Sequence, residues 1–312
     1  MRTRAGFFIM IENRSLYTKQ PLSISAQIQL LKDRGLQIED EKDAYRQLCC
    51  VSYYRLSAYF IPFEISRGSS HQFKKGAQFE QIIRLYRFDR SLRMLFFDAI
   101  ERIETCFKAQ IINQLSIFYG NGWWYEKEEL FHDAQRHLQL LEEVDKEYHR
   151  SQEVFVKHYK QTYASPKRPP AWMYLELMTL GQLSRLYKNL KMSHPKKDIA
   201  LHFGLPVTIL ESWIEAIAYV RNLCAHHCRL WNRRLIKKPM EPKNPSLKFP
   251  KNIKWDRIAA QIAIVKMLLT PTAQPRPFFE LFLILLKEYP EINLSDMGFL
   301  PHWDKDTFWD LN

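Results

Sequence analysis

Apolar side chains recur at helical spacing over most of the chain, and the clearest run extends from Phe79 to about Tyr119. Apolar residues there recur every three to four positions with charged residues between them, which is the pattern of an amphipathic helix. Similar patterns predict helices over residues 172–190 and 253–270. No strand-rich block and no internal repeat interrupts them, so the sequence predicts an all-α fold, a bundle of many helices.

Shorter helices are predicted on both sides of this run. Ser23 or Ser25 can cap one that stops at Arg34-Gly35, and Asp40 can cap a second. Val51–Phe60 is a helical or extended segment. Other predicted helices cover residues 133–150, 155–163 and 277–288. The Gly- and Ser-rich residues 66–78 are a predicted linker, so the predicted parts are an N-terminal helical subdomain (1–65), a helical core (79–235), and a C-terminal basic loop with helices (236–312).

Residues 197–213 have the small, turn and apolar positions of a helix-turn-helix, the motif that reads DNA. That role needs an exposed second helix. Ile209, Leu210 and Trp213 make the second helix look buried. We therefore interpret the segment as a packed helix corner.

Composition narrows the class of partner. The chain has 312 residues, of which 46% are hydrophobic, and a net charge of +12, which favours nucleic acid over a membrane as the partner. Its five scattered cysteines are typical of reduced thiols. The apolar run Gly6–Ile11 is too short for a secretory signal, and Phe278–Leu286 is too short for a membrane span. The predicted location is the cytoplasm, without membrane association.

The densest polar cluster follows an apolar helix, between Ala218 and Asn232. Asn222 and His226 are four residues apart and share a helix face, and Arg221 precedes both. A guanidinium grips phosphate oxygens in a bidentate manner, and an imidazole moves protons near neutral pH. Cations also gather at helix ends simply because they favour the negative end of the helix dipole, and that reading stays open.

Further residues extend this candidate site. His227 is the substitute for His226 if the register is shifted by one, and Glu101 and Arg102 are candidates for orienting the cluster from the long helix, although such charges are more often solvated ion pairs. Aromatic residues and arginines can stack on bases and bind phosphates, although Tyr54 is at a spacing also typical of a core. The candidate RNA-binding residues are Tyr54, Arg55, Arg229, Arg233 and Arg234.

Other chemistries find less support in the sequence. There is no glycine-rich phosphate loop. Cys224 and Cys228 flank two histidines, but no second ligand pair occurs at a zinc-like spacing, so no metal and no cofactor is predicted. A cysteine nucleophile at Cys224 is possible in principle, but no other residue argues for acyl chemistry.

Six ordered segments together resemble a known family. Arg221-Asn-Leu-Cys-Ala-His226 is similar to the Arg-Asn-x3-His signature of the HEPN superfamily of helical ribonucleases. The chain from about residue 17 to 235 resembles the Abi-like (AbiD/AbiF-type) bacterial abortive-infection proteins, which carry that signature. The matching segments are Pro21–Ile24, Leu30–Leu36, Ser52–Tyr59, Leu85–Arg90, Ala99–Glu104, and Arg221–His227 with Arg229–Asn232.

The resemblance implies a HEPN-like helical bundle, a role in antiphage defence, and metal-independent cleavage of RNA by a homodimer, with a small noncoding RNA or protein antitoxin as a possible further partner. By this resemblance His226 transfers protons, Arg221 holds the scissile phosphate, and Asn222 orients His226 or the phosphate. Two alternatives remain. The basic helical body can hold a structured or noncoding RNA without cutting it, or act as a helix-turn-helix DNA regulator.

Overall fold

The structure, a computed structural model, describes residues 18, 20–65, 71–244, 247–272 and 278–309. Within these ranges the chain forms thirteen α-helices, and its extended backbone pairs only at isolated bridges. The predicted all-α fold is therefore confirmed. Most of residues 1–20, including Gly6–Ile11, lies outside the described residues, as do residues 66–70 of the predicted linker and residues 273–277.

Contacts divide the chain into two compact units, residues 1–84 and residues 85–312. The first unit contains α1 (Ile24–Asp33), α2 (Glu41–Cys50), α3 (Tyr53–Ser57) and the first residues of α4. Ser23 caps α1 by accepting a hydrogen bond from the Ala26 backbone, and Asp40 caps α2 in the same way through Asp43. Both helices and their caps agree with the sequence.

The second unit is built around α4 (Phe79–Tyr119), whose bounds match the predicted run. Its apolar stripe is buried, including Phe96, Ile100, Ile103 and Phe107, which are fully enclosed. The other helices of this unit are α5 (Ala134–Arg150), α6 (Val154–Thr162), α7 (Ala171–Tyr174), α8 (Leu180–Asn189), α9 (His194–His202), α10 (Val207–Ala225), α11 (Ile258–Leu269), α12 (Phe278–Glu288) and α13 (Leu294–Met297).

The single helix predicted over residues 172–190 is wrong, because the chain breaks there into α7 and α8. Thr179 and Gln182 form a capping box: the Thr179 hydroxyl accepts from the Gln182 backbone at 3.3 Å, and the Gln182 side chain accepts from the Thr179 backbone at 2.9 Å. This reciprocal cap stabilises a new helix start at Leu180. Apolar spacing alone did not reveal it.

The segment considered as a helix-turn-helix is a packed corner. Ile209, Leu210 and Trp213 of α10 are all buried, so the start of this helix packs into the body of the protein, as the sequence indicates. Gly204 makes the turn before α10 with φ of +65°. Among the described residues, no single helix is both long and apolar enough to cross a lipid bilayer, and only the bent pair of α9 and α10, counted together, meets those two criteria.

The short basic loop of residues 165–170, which precedes α7, is held against the protein by an ion-pair network. Arg168 binds Asp145 of α5 at 2.6 and 2.9 Å and Glu126 at 3.2 Å. Burial acts to raise the pKa of Asp145, but hydrogen bonds from Arg168 and Tyr174 outweigh it and lower that pKa. Arg168 therefore joins the loop to α5, whose Asp145 also accepts a hydrogen bond from Tyr174 of α7 at 2.9 Å.

Candidate active site

The end of α10 carries the signature residues, and its geometry follows from three backbone hydrogen bonds. The N–H groups of His226, His227 and Cys228 donate to earlier carbonyls of the last turn, at 3.0, 3.0 and 2.8 Å. The bond from Cys228 to Leu223 spans the full turn, which makes this a Schellman motif. Glycine normally occupies the left-handed position of that motif. Here His227 occupies it, with φ of +54°, a conformation that costs energy for a residue with a Cβ.

The signature side chains divide between two directions. Asn222 and His226 are exposed, and no described residue forms a hydrogen bond or ion pair with the His226 imidazole. Arg221 is half-buried and turns toward α4, where its guanidinium lies 5.8 Å from the centre of the Phe97 ring. The cation and the imidazole thus lie at the same helix end without contacting each other.

Glu104 of α4 is the carboxyl group that interacts with Arg221. Burial raises the pKa of Glu104, and the positive charges of Arg221 and Lys108 and a hydrogen bond from the Leu180 backbone only partly oppose this. Glu104 therefore connects the start of α8 electrostatically with the signature arginine. It stands at the end of the Ala99–Glu104 segment, so a signal for it was present in the sequence.

The two supporting residues predicted on α4 have other partners. Arg102 is buried and donates to Asp98 at 2.9 Å. Glu101 is exposed and accepts from the Thr105 hydroxyl at 3.3 Å. Their roles in the site remain predictions, since neither shows a contact with the signature residues in the described part of the chain.

Asp89 anchors the segment that follows the signature. Its fully buried carboxylate accepts backbone hydrogen bonds from Leu230 at 3.1 Å and Trp231 at 2.7 Å, and it also pairs with the buried Arg93 guanidinium. These contacts join α4 to residues about 140 positions later. Sequence reasoning did not single out Asp89, although it lies in the Leu85–Arg90 segment that resembles the family.

The predicted RNA-binding arginines of this segment are already engaged in part. Arg234 forms a 3.0 Å ion pair with Asp256, and Arg233 donates to the carbonyl of Arg229 at 3.4 Å. Asn232 adopts φ of +49° and accepts from Arg257 at 2.9 Å. The chain after the signature is therefore fixed at both ends, with the guanidinium of Arg234 still largely exposed.

Tyr54 and Arg55 belong to the first unit, whereas the signature belongs to the second. Tyr54 is 88% exposed, which contradicts the alternative that it is a core residue. A solvent-facing aromatic ring is suited to stacking, and its role in binding RNA stays a prediction.

A groove of about 760 Å³ runs along the exposed face of α10 to Asn222. The first turns of α5 and most of α8 form its other walls. Four cations line it, namely Arg136, Arg185, Lys188 and Lys237. The sequence analysis missed this groove because its residues come from four separate segments.

Burial makes two of the cysteines poor candidates for nucleophilic catalysis. Burial raises the pKa of the Cys224 thiol to about 12, so this sulfur stays protonated and a poor nucleophile. Cys106 lies 3.5 Å from the His202 ring, but burial raises the pKa of this thiol as well. No cluster of three or more metal-binding side chains occurs among the described residues.

A family model described as Abi-like protein matches residues 46–232, well over half of the chain. The match includes Asp89, Glu104 and the whole signature. It confirms the predicted resemblance to the Abi-like proteins, whereas the HEPN signature itself stays a prediction. No curated protein and no solved structure matches the chain.

Proposed function

Because the chain belongs to the Abi-like protein family, which suggests a role in abortive-infection defence, we propose that it acts there as a metal-independent endoribonuclease of the HEPN type. The observation that carries the proposal is the exposed imidazole of His226, to which no described residue bonds, one helical turn from the exposed Asn222 and at the same helix end as a half-buried guanidinium. These groups match the needs of phosphodiester cleavage without help from a metal ion.

The reaction is an internal transfer within the RNA. The ribose 2′-oxygen forms a bond to the adjacent phosphorus, and the bond from phosphorus to O5′ breaks. The 2′-hydroxyl proton goes to a general base, and the departing O5′ takes a proton from a general acid. The products are a 2′,3′-cyclic phosphate and a 5′-hydroxyl end, so DNA, which lacks the 2′-hydroxyl, is not a substrate.

His226 serves as the proton-transfer group, since its ring is open to a bound substrate. Arg221 offsets the charge that develops on the phosphate, after its guanidinium leaves or shares its position over Phe97. Asn222 orients the phosphate or the imidazole. A homodimer supplies a second signature, and a noncoding RNA or antitoxin restrains the protein in the uninfected cytoplasm.

The test uses purified protein with total RNA in EDTA. His226→Ala is expected to lose about 10²–10⁴-fold in cleavage rate, because it removes a general acid or base. His158→Ala, which removes an exposed histidine of α6, should cleave like wild type. His227→Asn keeps a residue that tolerates the left-handed backbone, so it separates a role of the imidazole from a role of the turn.

A second candidate is an RNA-binding protein that does not cleave. The orientation of Arg221 favours it, because the guanidinium faces Phe97 and Glu104 rather than His226. Intact RNA, bound tightly by wild type and by His226→Ala alike, would establish this alternative and exclude the nuclease. Fragments with cyclic-phosphate ends from wild type alone would exclude the binder.

A further inference from the structure

The groove along α10 contains a preorganised pair of lysines. Glu215 accepts from Lys188 of α8 at 2.8 Å and from Lys237 at 2.6 Å. Hydrogen bonds from these two ammonium groups lower the pKa of Glu215. One carboxylate thus holds two positive groups within reach of the same point, and the trio keeps a net positive charge.

Both lysines remain accessible to a ligand. Their side chains are more than half exposed, whereas Glu215 is one-third exposed. Exposed ion pairs of this kind contribute little to stability, so structural bracing alone is a weak reason for the arrangement. A phosphate entering the groove meets two ammonium groups that are already placed, without the entropy cost of gathering them.

Tyr219 lies between the lysine pair and the signature. It is four residues after Glu215 and three before Asn222, spacings that put all three on one face of α10. It lines the groove with them and is half-buried. From Glu215 to Asn222 the helix rises about 10 Å. The face therefore presents cations, an aromatic ring and a signature amide in that order.

We propose that this groove binds the single-stranded RNA that continues from the cleaved phosphodiester, with a flanking phosphate on Lys188 and Lys237 and a base against Tyr219. The inference rests on the proposed function. Ammonium groups that follow a strand together with an aromatic ring are the usual means of holding single-stranded nucleic acid. Arg136 and Arg185 also line the groove, where each forms an ion pair, with Asp133 and with Glu143 respectively.

The first experiment measures binding of a fluorescent, fully 2′-O-methylated decamer, which cannot be cleaved. Lys188→Ala/Lys237→Ala is expected to weaken binding about tenfold and to reduce the slope of log K against log salt by about 0.7, the contribution of one neutralised phosphate of a single strand. Lys157→Ala/Lys197→Ala removes the same charge from exposed positions in α6 and α9 and should change affinity less than about twofold. Equal losses in both double variants would overturn the proposal.

Glu215→Gln gives the opposite expectation. It removes the negative charge that competes with phosphate, while the amide oxygen can still accept from both lysines and keep them in place, so the decamer should bind more tightly. If the lysines only brace α8 against α10, the same change loosens the groove and leaves RNA affinity unchanged or weaker, which would overturn the proposal.

Cleavage rates distinguish lysines that bind a flanking phosphate from lysines that act at the reacting phosphate. A dinucleotide is too short to reach the lysine pair, so the double lysine variant should cut it at the wild-type rate but cut a decamer with a raised KM. Equal loss on both substrates would place the lysines at the reacting phosphate and reject the flanking role. If wild type cuts nothing, the nuclease fails, while lysine-dependent binding of the decamer still supports the groove. Displacement of the decamer by a nucleoside monophosphate at equal nucleotide concentration would identify a small-molecule site instead.

Discussion

Asp89 shows how one buried carboxylate controls a distant segment. It satisfies two backbone N–H groups of the chain after the signature and neutralises Arg93, and all of these groups are enclosed. A buried charge without its partner is costly, so the residue has little freedom to change.

Asp89→Asn is expected to lower the free energy of unfolding by about 3–5 kcal/mol, because it removes the negative charge that pairs with the buried Arg93 guanidinium. Urea denaturation measures the change. Glu147→Gln breaks the exposed pair with Arg150 and should cost less than about 1 kcal/mol. Similar losses of unfolding free energy in the two variants would show that the buried pair stabilises the protein no more than the exposed pair does.

The raised pKa of Glu104 makes the stability of the protein depend on pH. Its folded pKa is raised, so between the unfolded and folded values the native state binds more protons than the unfolded state. Stability therefore falls as pH rises through this window, and Glu104→Gln removes that loss. The variant should be more stable than wild type at pH 7, with a difference that shrinks toward pH 4.

Thermal unfolding at several pH values measures this difference, and RNA cleavage by the same variant provides a second readout. A Glu104→Gln protein that is more stable but less active would identify Glu104 as a positioning residue for Arg221. A variant less stable than wild type at neutral pH would contradict the assignment of burial as the main cause of its raised pKa.

Two glycines with positive φ lie at helix ends, Gly298 after α13 and Gly204 before α10. α13 ends at Gly298, which has φ of +97°, and a Cβ built there lies only 2.3 Å from Cβ of Arg257. Gly204, before α10, also has positive φ, but a Cβ there meets no atom within 4 Å. The two glycines therefore share a backbone requirement and differ in available space.

Gly298→Ala should destabilise the protein well beyond Gly204→Ala. Both substitutions bear the left-handed cost of about 1–2 kcal/mol, and only the first adds a steric clash with Arg257. The midpoints of urea unfolding compare them directly. Equal midpoints would mean that the contact at Gly298 relaxes without cost.

The sequence predicted elements better than their ends and contacts. The apolar spacing of α4 and the caps at Ser23 and Asp40 are local signals, and the structure confirms them. The break at Thr179 was missed because its capping box lies within an otherwise continuous apolar pattern. The Asp89 anchor and the α10 groove depend on residues far apart in sequence, which periodicity does not connect.

At the scale of the candidate site, the sequence identified Arg221, Asn222 and His226 but not their orientations. At about 100° per residue, a helix points Arg221 away from His226, so sequence spacing alone leaves the direction of its long side chain open. The structure turns it toward Phe97 and Glu104. The attraction of an aromatic face and a half-buried carboxyl group decides this, and neither was visible from spacing alone.

The whole molecule presents an apolar surface next to its signature. Met94 and Phe97 lie three residues apart on α4, both exposed, and Phe97 contacts Arg221. Such a surface beside a charged site is suited to a second copy of the chain, as the proposed dimer requires.

If two protomers form each site, specific activity should fall as the protein is diluted, because the dimer dissociates. Met94→Glu adds a charge to the apolar surface and should shift this loss to higher protein concentration. Light scattering and initial cleavage rates, measured over the same dilution series, report mass and activity together. Constant specific activity in a monomeric range of concentrations would contradict a shared site.

The hydrogen bond from Arg257 to Asn232 has a consequence for synthesis of the chain. Residues after the signature are tied to α4 through Asp89 and to Arg257 through Asn232. A ribosome must therefore translate the chain through Arg257 before the signature has these supports. For the proposed nuclease, this order delays cleavage until the chain has been made well beyond the signature itself.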